Sequence, residues 1–315
     1  MTFGMTSTTD DVLDGIDLAG VHALVTGASA GLGVETTRAL AAHGASVTMA
    51  VRDLAKARSA RDGVLERVPG ADLELRELDL ASLTSVRAFT AAYLAEGRRP
   101  DLLIGNAGIM ACPLGTTADG FELQFGTNHL GHFLLVRELL PMLTAAPGAR
   151  VVLLSSSGHR ISDVDLEDWN FDRTPYDPWA AYGRSKTANV LCALALDRRL
   201  AEHGSQAMAV HPGGIMTELG RHLTRETLAA LQDLRPPGDE PFWKTVEQGA
   251  ATTCYVATAA ELAGQPAWFY EDCGRASVTD DPLSPTGVRA YALDPDRAEA
   301  LWTLSERLVD GAPRP

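Results

Sequence analysis

Short apolar segments alternate with longer helical stretches over most of the 315 residues. Runs of apolar and β-branched side chains predict buried strands at residues 22–26, 46–51, 73–78, 102–105, 150–155 and 207–211. The sequence predicts helices at residues 32–43, 83–96, 119–144 and 180–203, the first of them closed by Gly44. Strands joined by crossover helices pair in parallel, so this order predicts a doubly wound α/β sheet with helices on both faces.

The first predicted strand runs directly into a glycine-rich turn that opens the first helix. The turn reads Thr26-Gly27-Ala28-Ser29-Ala30-Gly31-Leu32-Gly33. Glycine allows a sharp turn and a close approach of the backbone to a pyrophosphate, and the next helix directs its N-terminal N–H groups at the phosphates. In this context the turn predicts a dinucleotide site in a Rossmann-type domain; a turn needed only for packing is the alternative.

The end of the second predicted strand bears on the choice of cofactor, because that position faces the adenine-bearing ribose. A carboxylate there would bind the 2′-hydroxyl of NAD, but the sequence has Val51 at this place, followed by Arg52 and Asp53. A guanidinium can pair with the 2′-phosphate of NADP through charge-assisted hydrogen bonds. We therefore expect NADP(H), bound through Arg52; NAD(H) is the alternative if a shifted turn places Asp53 on the ribose.

Tyr182 and Lys186 stand four residues apart in a predicted helix and should share one face. A free phenol has a pKa of about 10, which a nearby ammonium and the positive nicotinamide of oxidised cofactor are expected to lower. Such a phenol could exchange a proton with a carbonyl or alcohol oxygen. The only other lysines are Lys56 and Lys244, so the pairing is a sharper signal in this chain. Three serines, 155–157, follow the fifth strand and could supply a hydroxyl to the same oxygen.

Charge and cysteine usage exclude several classes of function. The chain has 27 basic and 41 acidic residues, a formal net charge of −14, so neither nucleic acid nor an anionic membrane is expected as a partner. Its four cysteines, 112, 192, 254 and 273, lack the spacing of zinc ligands and are expected to be isolated buried thiols, with no metal site. No secretory signal or membrane-span pattern is visible, so we expect a cytoplasmic protein.

Composition also suggests the domain organisation. Residues 1–17 are polar and acidic and are expected to form a flexible arm, with residues 18–315 forming a single domain. Residues 212–243 are irregular and rich in proline, which predicts a substrate lid; a surface excursion without function is the alternative.

Several motifs in order resemble those of the short-chain dehydrogenase/reductase family over about residues 18–275. The glycine turn matches TGxxxGxG, Asp79-Leu80 matches a pair that contacts adenine, and Asn106-Ala107-Gly108 matches NAG beside the cofactor. Pro212-Gly213 and Thr217 match the motif at the nicotinamide end. The resemblance implies cofactor contacts from Gly27, Ser29, Ala30, Gly31, Leu32, Gly33, Arg52, Asp79, Leu80, Asn106, Ala107, Gly108, Tyr182, Lys186, Pro212, Gly213, Ile215 and Thr217.

The same resemblance implies a catalytic tetrad of Asn128, Ser156, Tyr182 and Lys186. Ser156 would orient and polarise the carbonyl, and Tyr182 would transfer the proton. Lys186 would lower the pKa of Tyr182 and hold the nicotinamide ribose. Asn128 would anchor a water that links Lys186 to solvent.

Residues 127–133 and 182–189 resemble the retinol-dehydrogenase branch, which includes WW-domain oxidoreductases and protochlorophyllide reductase. Gly105 departs from the family pattern, in which an asparagine often precedes NAG. The long stretch before Tyr182 borders the substrate mouth in the family. It contains four large aromatic side chains, Trp169, Phe171, Tyr176 and Trp179. They predict an apolar or aromatic substrate, unless they only pack this stretch onto the body.

The resulting expectation is an oxidoreductase that transfers a hydride between NADP(H) and a carbonyl or alcohol. An NAD-dependent dehydrogenase of the same family is one alternative. A non-catalytic dinucleotide-sensing protein is another, although the presence of both Tyr182 and Lys186 favours the enzyme. The family also implies a homodimer or homotetramer built through the two long helices, here 119–144 and 180–203, although this subgroup includes monomers.

Overall fold

A sheet of eight strands forms the centre of the computed structural model, which describes residues 3–145, 147–226, 242–281 and 284–311. The described residues form ten strands in all: β1 (His22–Thr26), β2 (Ser46–Val51), β3 (Leu73–Glu77), β4 (Leu102–Gly105), β5 (Arg150–Leu154), β6 (Gln206–His211), β7 (Gly214–Ile215), β8 (Trp243–Lys244), β9 (Phe269–Glu271) and β10 (Gly274–Arg275). Seven of them run parallel in the order β3-β2-β1-β4-β5-β6-β9, and β10 pairs antiparallel with β9. The strands β7 and β8 form a separate parallel pair.

Helices cover both faces of this sheet. They are α1 (Thr9–Leu13), α2 (Gly31–Ala42), α3 (Leu54–Arg67), α4 (Leu83–Ala95), α5 (Leu123–Phe125), α6 (Gly131–Leu143), α7 (Pro178–Leu200), α8 (Val246–Thr258) and α9 (Pro295–Gly311), with a π-helical turn at Gly126–Leu130. The helices α4, α6, α7 and α9 share one apolar core, and α2, α3 and α8 share the other. The arrangement confirms the predicted doubly wound Rossmann-type sheet.

Strand β5 shows why the sequence signal was clear. Val151 and Leu153 pack in one core, whereas Val152 and Leu154 pack in the other. Successive side chains of a strand point to opposite faces, so a strand buried on both faces is apolar throughout.

Within the expected flexible arm, residues 9–13 form helix α1. Val12 and Leu13 are buried in a small apolar cluster with residues of α2 and α8. Thr9 donates a hydrogen bond of 2.6 Å to Glu35, and Arg38 pairs with Asp10 at 2.6 Å. Two apolar side chains and buried polar contacts therefore fix a segment whose composition is mostly polar.

The C-terminal helix α9 lies against the two long helices α6 and α7. The rings of Phe133 and Trp302 are 4.8 Å apart, and the Arg199 guanidinium stands 4.0 Å from the Trp302 ring. Arg137 pairs with Asp310 at 2.8 Å near the end of α9. The faces expected to carry an oligomer interface are thus partly covered by the chain itself.

The predicted lid at 212–243 is only partly described, because residues 227–241 lie outside the described residues. Its two described ends are held together by the parallel pairing of β7 with β8. The ammonium of Lys244 lies 2.6 Å from the Asp272 carboxylate.

All four cysteines are buried and unpaired, as predicted. Within the described ranges, no helix has the length and apolar character needed to cross a membrane.

Candidate active site

The glycine turn lies at the carboxyl end of β1, between β2 and β4, where ligands bind in open parallel sheets. Gly27 has a φ of +68°, and a Cβ there would stand 2.8 Å from the Cα of Ala107. A Cβ on Gly33 would stand 2.6 Å from Nδ2 of Asn106. These two positions therefore require glycine for the turn itself and for the close packing of the neighbouring loop.

The loop after β4 is tied to the glycine turn by hydrogen bonds. The Asn106 side chain donates to the carbonyl oxygens of Thr26 and Gly27 at 2.9 and 3.3 Å. The backbone N–H of Ala107 donates to the Thr26 hydroxyl at 3.0 Å. Two separate loops are thereby fixed as one surface.

This surface fits a pyrophosphate. Helix α2 begins at Gly31, and its N-cap residue, Ala30, makes no side-chain hydrogen bond to the first N–H groups. Those groups and the positive end of the helix dipole are suited to an anion. The methyl group of Thr217 lies 3.4 Å from the position of a Cβ on Gly31. Thr217, which follows β7, therefore faces the glycine turn.

Arg52 and Asp53, the two candidates for the ribose, differ in their contacts. Arg52 is exposed and makes no ion pair within the described part of the chain. Asp53 caps helix α3 and accepts a hydrogen bond of 3.0 Å from the backbone N–H of Lys56. The Lys56 ammonium pairs with Glu218, a residue of the segment that follows Thr217.

Other residues implied by the resemblance lie at the rim or in the core. Leu80 packs in the core, and Ile215 packs with Leu32 against Gly249 of α8. Gly213 has a φ of +97° and lies against the Lys244 side chain. Partly buried members of this set include Ser29, Asp79, Pro212 and Gly213.

Helix α7 places Tyr182 and Lys186 on one face, as predicted. Nζ of Lys186 lies 5.7 Å from the centre of the Tyr182 ring and donates to the Leu154 carbonyl at 3.1 Å. Both side chains are about 3% exposed. The phenol and the ammonium thus meet beside the carboxyl end of β5.

Burial dominates the electrostatics of this pair. It raises the pKa of Tyr182 to about 12, although a hydrogen bond with Ser156 acts in the opposite direction. It lowers the pKa of Lys186 to about 8. Burial therefore shifts the pKa of Tyr182 upwards, opposite to the direction expected for a phenol beside an ammonium and an oxidised nicotinamide, because removing a phenolate from water is unfavourable.

The three serines after β5 have different roles. The Ser155 hydroxyl is buried and donates to the carbonyl of Lys186 at 2.8 Å, which ties β5 to α7. Ser156 accepts from the Gly158 N–H at 3.0 Å, and a Cβ on Gly158 would stand 3.4 Å from Oγ of Ser156 and 2.6 Å from Cε1 of Tyr182. Ser157 directs its backbone N–H to His211 at 3.2 Å. Of the three hydroxyls, that of Ser156 adjoins the phenol.

Asn128 lies in the π-helical turn and is fully buried. Its carboxamide accepts from the N–H of Ile109 and donates to the carbonyl of Ile109, both at 2.9 Å. A Cβ on Gly108 would stand 3.3 Å from Oδ1 of Asn128 and 3.4 Å from Nζ of Lys186. Gly108, Asn128 and Lys186 therefore converge on one point.

Three of the four aromatic residues before Tyr182 are structural. Trp169 packs against Phe121 and Phe125, and Tyr176 donates its hydroxyl to the Cys112 carbonyl at 2.8 Å. Phe171 stacks under Arg184 at 4.0 Å. Only Trp179 lies against Tyr182, with its ring centre 6.2 Å away.

Sequence reasoning missed several neighbours of the phenol. Trp179 and Tyr182 share an apolar cluster with Met110, Ala111, Ile161 and Leu223, which come from distant parts of the chain. Gly158 packs directly against the Tyr182 ring. The position of Gly158, two residues after Ser156, was the only feature of the sequence that could have indicated this contact.

Comparisons with known proteins point to one family. A family model described as short chain dehydrogenase matches residues 21–228. A "Probable oxidoreductase" of Streptomyces lividans is 45% identical over 295 residues, 91% of this chain and 97% of that protein. Human "Retinol dehydrogenase 13" is 39% identical over 296 residues, 93% of this chain and 85% of that protein. The crystal structure of an uncharacterised Mycobacterium paratuberculosis protein is 37% identical, with a TM-score of 0.72 and coverage of 98% and 99%.

Proposed function

The chain belongs to the short-chain dehydrogenase/reductase family, and we propose that it transfers a hydride between NADP(H) and a carbonyl or alcohol substrate. The observation that carries the proposal is the meeting of three groups at one point. The phenol of Tyr182, the ammonium of Lys186 and the hydroxyl of Ser156 adjoin each other at the carboxyl end of β5. Dependence on a nicotinamide cofactor is general in the family, and the glycine turn offers a surface that fits its pyrophosphate.

In the direction of reduction, a nicotinamide cofactor held at the glycine turn would supply the hydride for the carbonyl carbon. Tyr182 gives its proton to the carbonyl oxygen, and Ser156 donates a hydrogen bond to that oxygen. Since burial holds the pKa of Tyr182 at about 12, the phenol is protonated at neutral pH and ready to act as an acid. Lys186, with a pKa of about 8, is largely protonated there and stabilises the phenolate that results.

The preference for NADP(H) is supported by the different contacts of Asp53 and Arg52, which follow β2. Asp53 already caps helix α3, which leaves the exposed guanidinium of Arg52 for the 2′-phosphate. A hydrogen bond to a charged group contributes about 1.5–3 kcal/mol, which corresponds to about 10- to 150-fold in affinity. Arg52→Ala should weaken NADPH by this factor and NADH far less, as measured by fluorescence titration. Equal losses for both would contradict the assignment.

An apolar substrate is supported by the walls around the phenol. Met110, Ile161, Trp179 and Leu223 are apolar, and Leu223 belongs to the described part of the predicted lid. Such walls favour a ketone, aldehyde or quinone with a ring or a long alkyl chain over a short charged keto acid.

The decisive experiment compares the wild type with Tyr182→Phe. We expect the wild type to oxidise NADPH with a panel of aromatic ketones and quinones. Tyr182→Phe should lose at least 10³-fold in kcat while its melting temperature and NADPH affinity stay near the wild-type values. Intact NADPH binding without turnover by the wild type would favour the dinucleotide-sensing alternative.

A further inference from the structure

His132 stands in the middle of a buried chain of hydrogen bonds, one turn after Asn128. Its Nδ1 lies 2.9 Å from the main-chain oxygen of Asn128, and its Nε2 lies 2.9 Å from the hydroxyl of Thr26. That hydroxyl also accepts from the N–H of Ala107 at 3.0 Å. The imidazole therefore joins the loop after β4 and the end of β1 to the turn that carries Asn128.

The partners of His132 determine where its proton resides. A carbonyl oxygen can only accept, so Nδ1 carries the hydrogen and donates to Asn128. Nε2 then accepts from the Thr26 hydroxyl, whose oxygen remains free to accept from Ala107. Burial lowers the pKa of His132 to about 4, so the ring is neutral at physiological pH and can fill both roles. The Thr26 hydroxyl also lies 3.4 Å from the Ile104 carbonyl oxygen, a longer contact than its 2.9 Å to Nε2 of His132.

Gly105 makes room for this ring. A Cβ on Gly105 would stand 3.2 Å from Cδ2 of His132 and 2.8 Å from Cδ2 of Leu153. A larger residue on β4 would therefore displace the imidazole or the side chain of Leu153. Gly105, the position that departs from the family pattern, thus provides the space that the His132 ring occupies.

The backbone held by His132 is unusual. Asn128 lies in the π-helical turn Gly126–Leu130, between α5 and α6. Such turns widen the helix and often occur at functional sites. Ile109 fixes the side chain of Asn128, whereas His132 holds its main-chain oxygen.

We propose that His132 is a positioning residue that keeps the Asn128 turn in register with the cofactor-facing loop at Ala107. This inference rests on the proposed function, since it assigns Asn128 to the site of hydride transfer. His132 itself reaches neither substrate nor cofactor and acts through Asn128 and Thr26.

Two near-isosteric substitutions separate the two hydrogen bonds. The amide of His132→Asn can replace Nδ1 and keep the bond to Asn128, and the amide of His132→Gln can replace Nε2 and keep the bond to Thr26. We expect His132→Gln to lower kcat by about 10- to 100-fold and to shift the pH profile of kcat, because Asn128 adjoins Lys186 and a displacement of about 1 Å has an effect of this size. We expect His132→Asn chiefly to raise the Kd of NADPH. Gly105→Ala should reproduce the loss in kcat by pressing on the ring.

His129 provides the matched control. It is equally buried, lies three residues earlier, and bonds to Ser305 of α9 at 2.8 Å, away from Thr26. His129→Phe should keep kcat and the pH profile within twofold of the wild type. If the folded His132→Gln and Gly105→Ala variants also keep kcat within twofold of the wild type, the positioning role is wrong. It is equally wrong if His129→Phe lowers kcat as much as His132→Gln does.

A second measurement does not depend on turnover. Histidine ¹⁵N spectra of the whole protein should show His132 as the neutral Nδ1–H tautomer, with a resonance that shifts when NADPH binds. The Nε2–H tautomer, or a resonance indifferent to NADPH, would overturn the inference. A wild type that shows the expected spectrum but no turnover would instead count against the proposed function alone.

Discussion

Replacing Gly158 by alanine tests whether the position of the Tyr182 ring controls activity. A Cβ on Gly158 would stand 2.6 Å from Cε1 and 2.7 Å from Cδ1 of Tyr182. Ordinary contacts between carbon atoms lie at about 3.5–4.0 Å. The ring must therefore retreat by about 1 Å, or the backbone after Ser156 must move by a similar amount.

The expected effects on catalysis and on stability differ in size. A misplacement of about 1 Å of a reacting group costs about 100-fold in rate. Overpacking by one methyl group costs about 1–3 kcal/mol of stability, which a domain of this size can lose without unfolding. Gly158 lies on the phenol side of the crevice, so NADPH affinity should change by less than about threefold.

The assay measures kcat with NADPH and the best substrate of the panel, together with the melting temperature and the Kd of NADPH. Gly63→Ala is the matched control, because a Cβ at this exposed position of α3 would meet nothing within 4 Å. It should stabilise the protein by about 0.5–1 kcal/mol and leave kcat unchanged. A folded Gly158→Ala protein with kcat within threefold of the wild type would refute the steric reasoning.

Three further predictions concern stability and assembly. Lys244→Met should lower the free energy of unfolding by about 1–3 kcal/mol in urea, because it leaves the partly buried Asp272 carboxylate without its cation; a change below 0.5 kcal/mol would contradict this. Burial holds the folded-state pKa of several histidines below the unfolded value of about 6.5, so the unfolded chain takes up protons first as the pH falls. The free energy of unfolding should therefore decrease between pH 7 and pH 5.5 by about 1 kcal/mol for each such histidine, and a urea-unfolding free energy that does not change with pH would contradict this. The effect applies in full to the histidines whose pKa falls furthest, His129, His132, His159 and His211, and burial also lowers the pKa of His22. Finally, because α9 covers part of α6 and α7, light scattering should give the mass of one 33.5 kDa chain, and a stable dimer would contradict this.

The sequence predicted the sheet well because its central strands are buried on both faces. The bounds of β1, β2 and β4 agree with the predicted segments, and those of β3, β5 and β6 differ by one residue. Four helices, α1, α3, α8 and α9, were not among the predicted elements. In α3 only Ala57 and Val64 are buried, which leaves a weak periodic signal on a mostly polar helix.

Contacts between distant residues explain what the sequence could not predict. Helix α1 is fixed by Ala251 and Cys254 of α8, about 240 residues away, and no local pattern reveals that partner. The direction of the Tyr182 pKa shift depends on how deeply α7 buries the phenol, a property of the folded protein. Four aromatic residues in one segment likewise gave no indication that Trp179 alone would lie against Tyr182.

Glycines shape the candidate site as much as the polar side chains do. Gly158 leaves space for the Tyr182 ring, Gly105 for His132, and Gly108 for Asn128 and Lys186. None of these three glycines has a positive φ, so backbone freedom does not explain them. Each instead allows a polar group to approach the backbone more closely than a Cβ permits. Alanine at any of the three should therefore reduce activity more than stability, whereas glycines chosen for turn geometry should show the reverse.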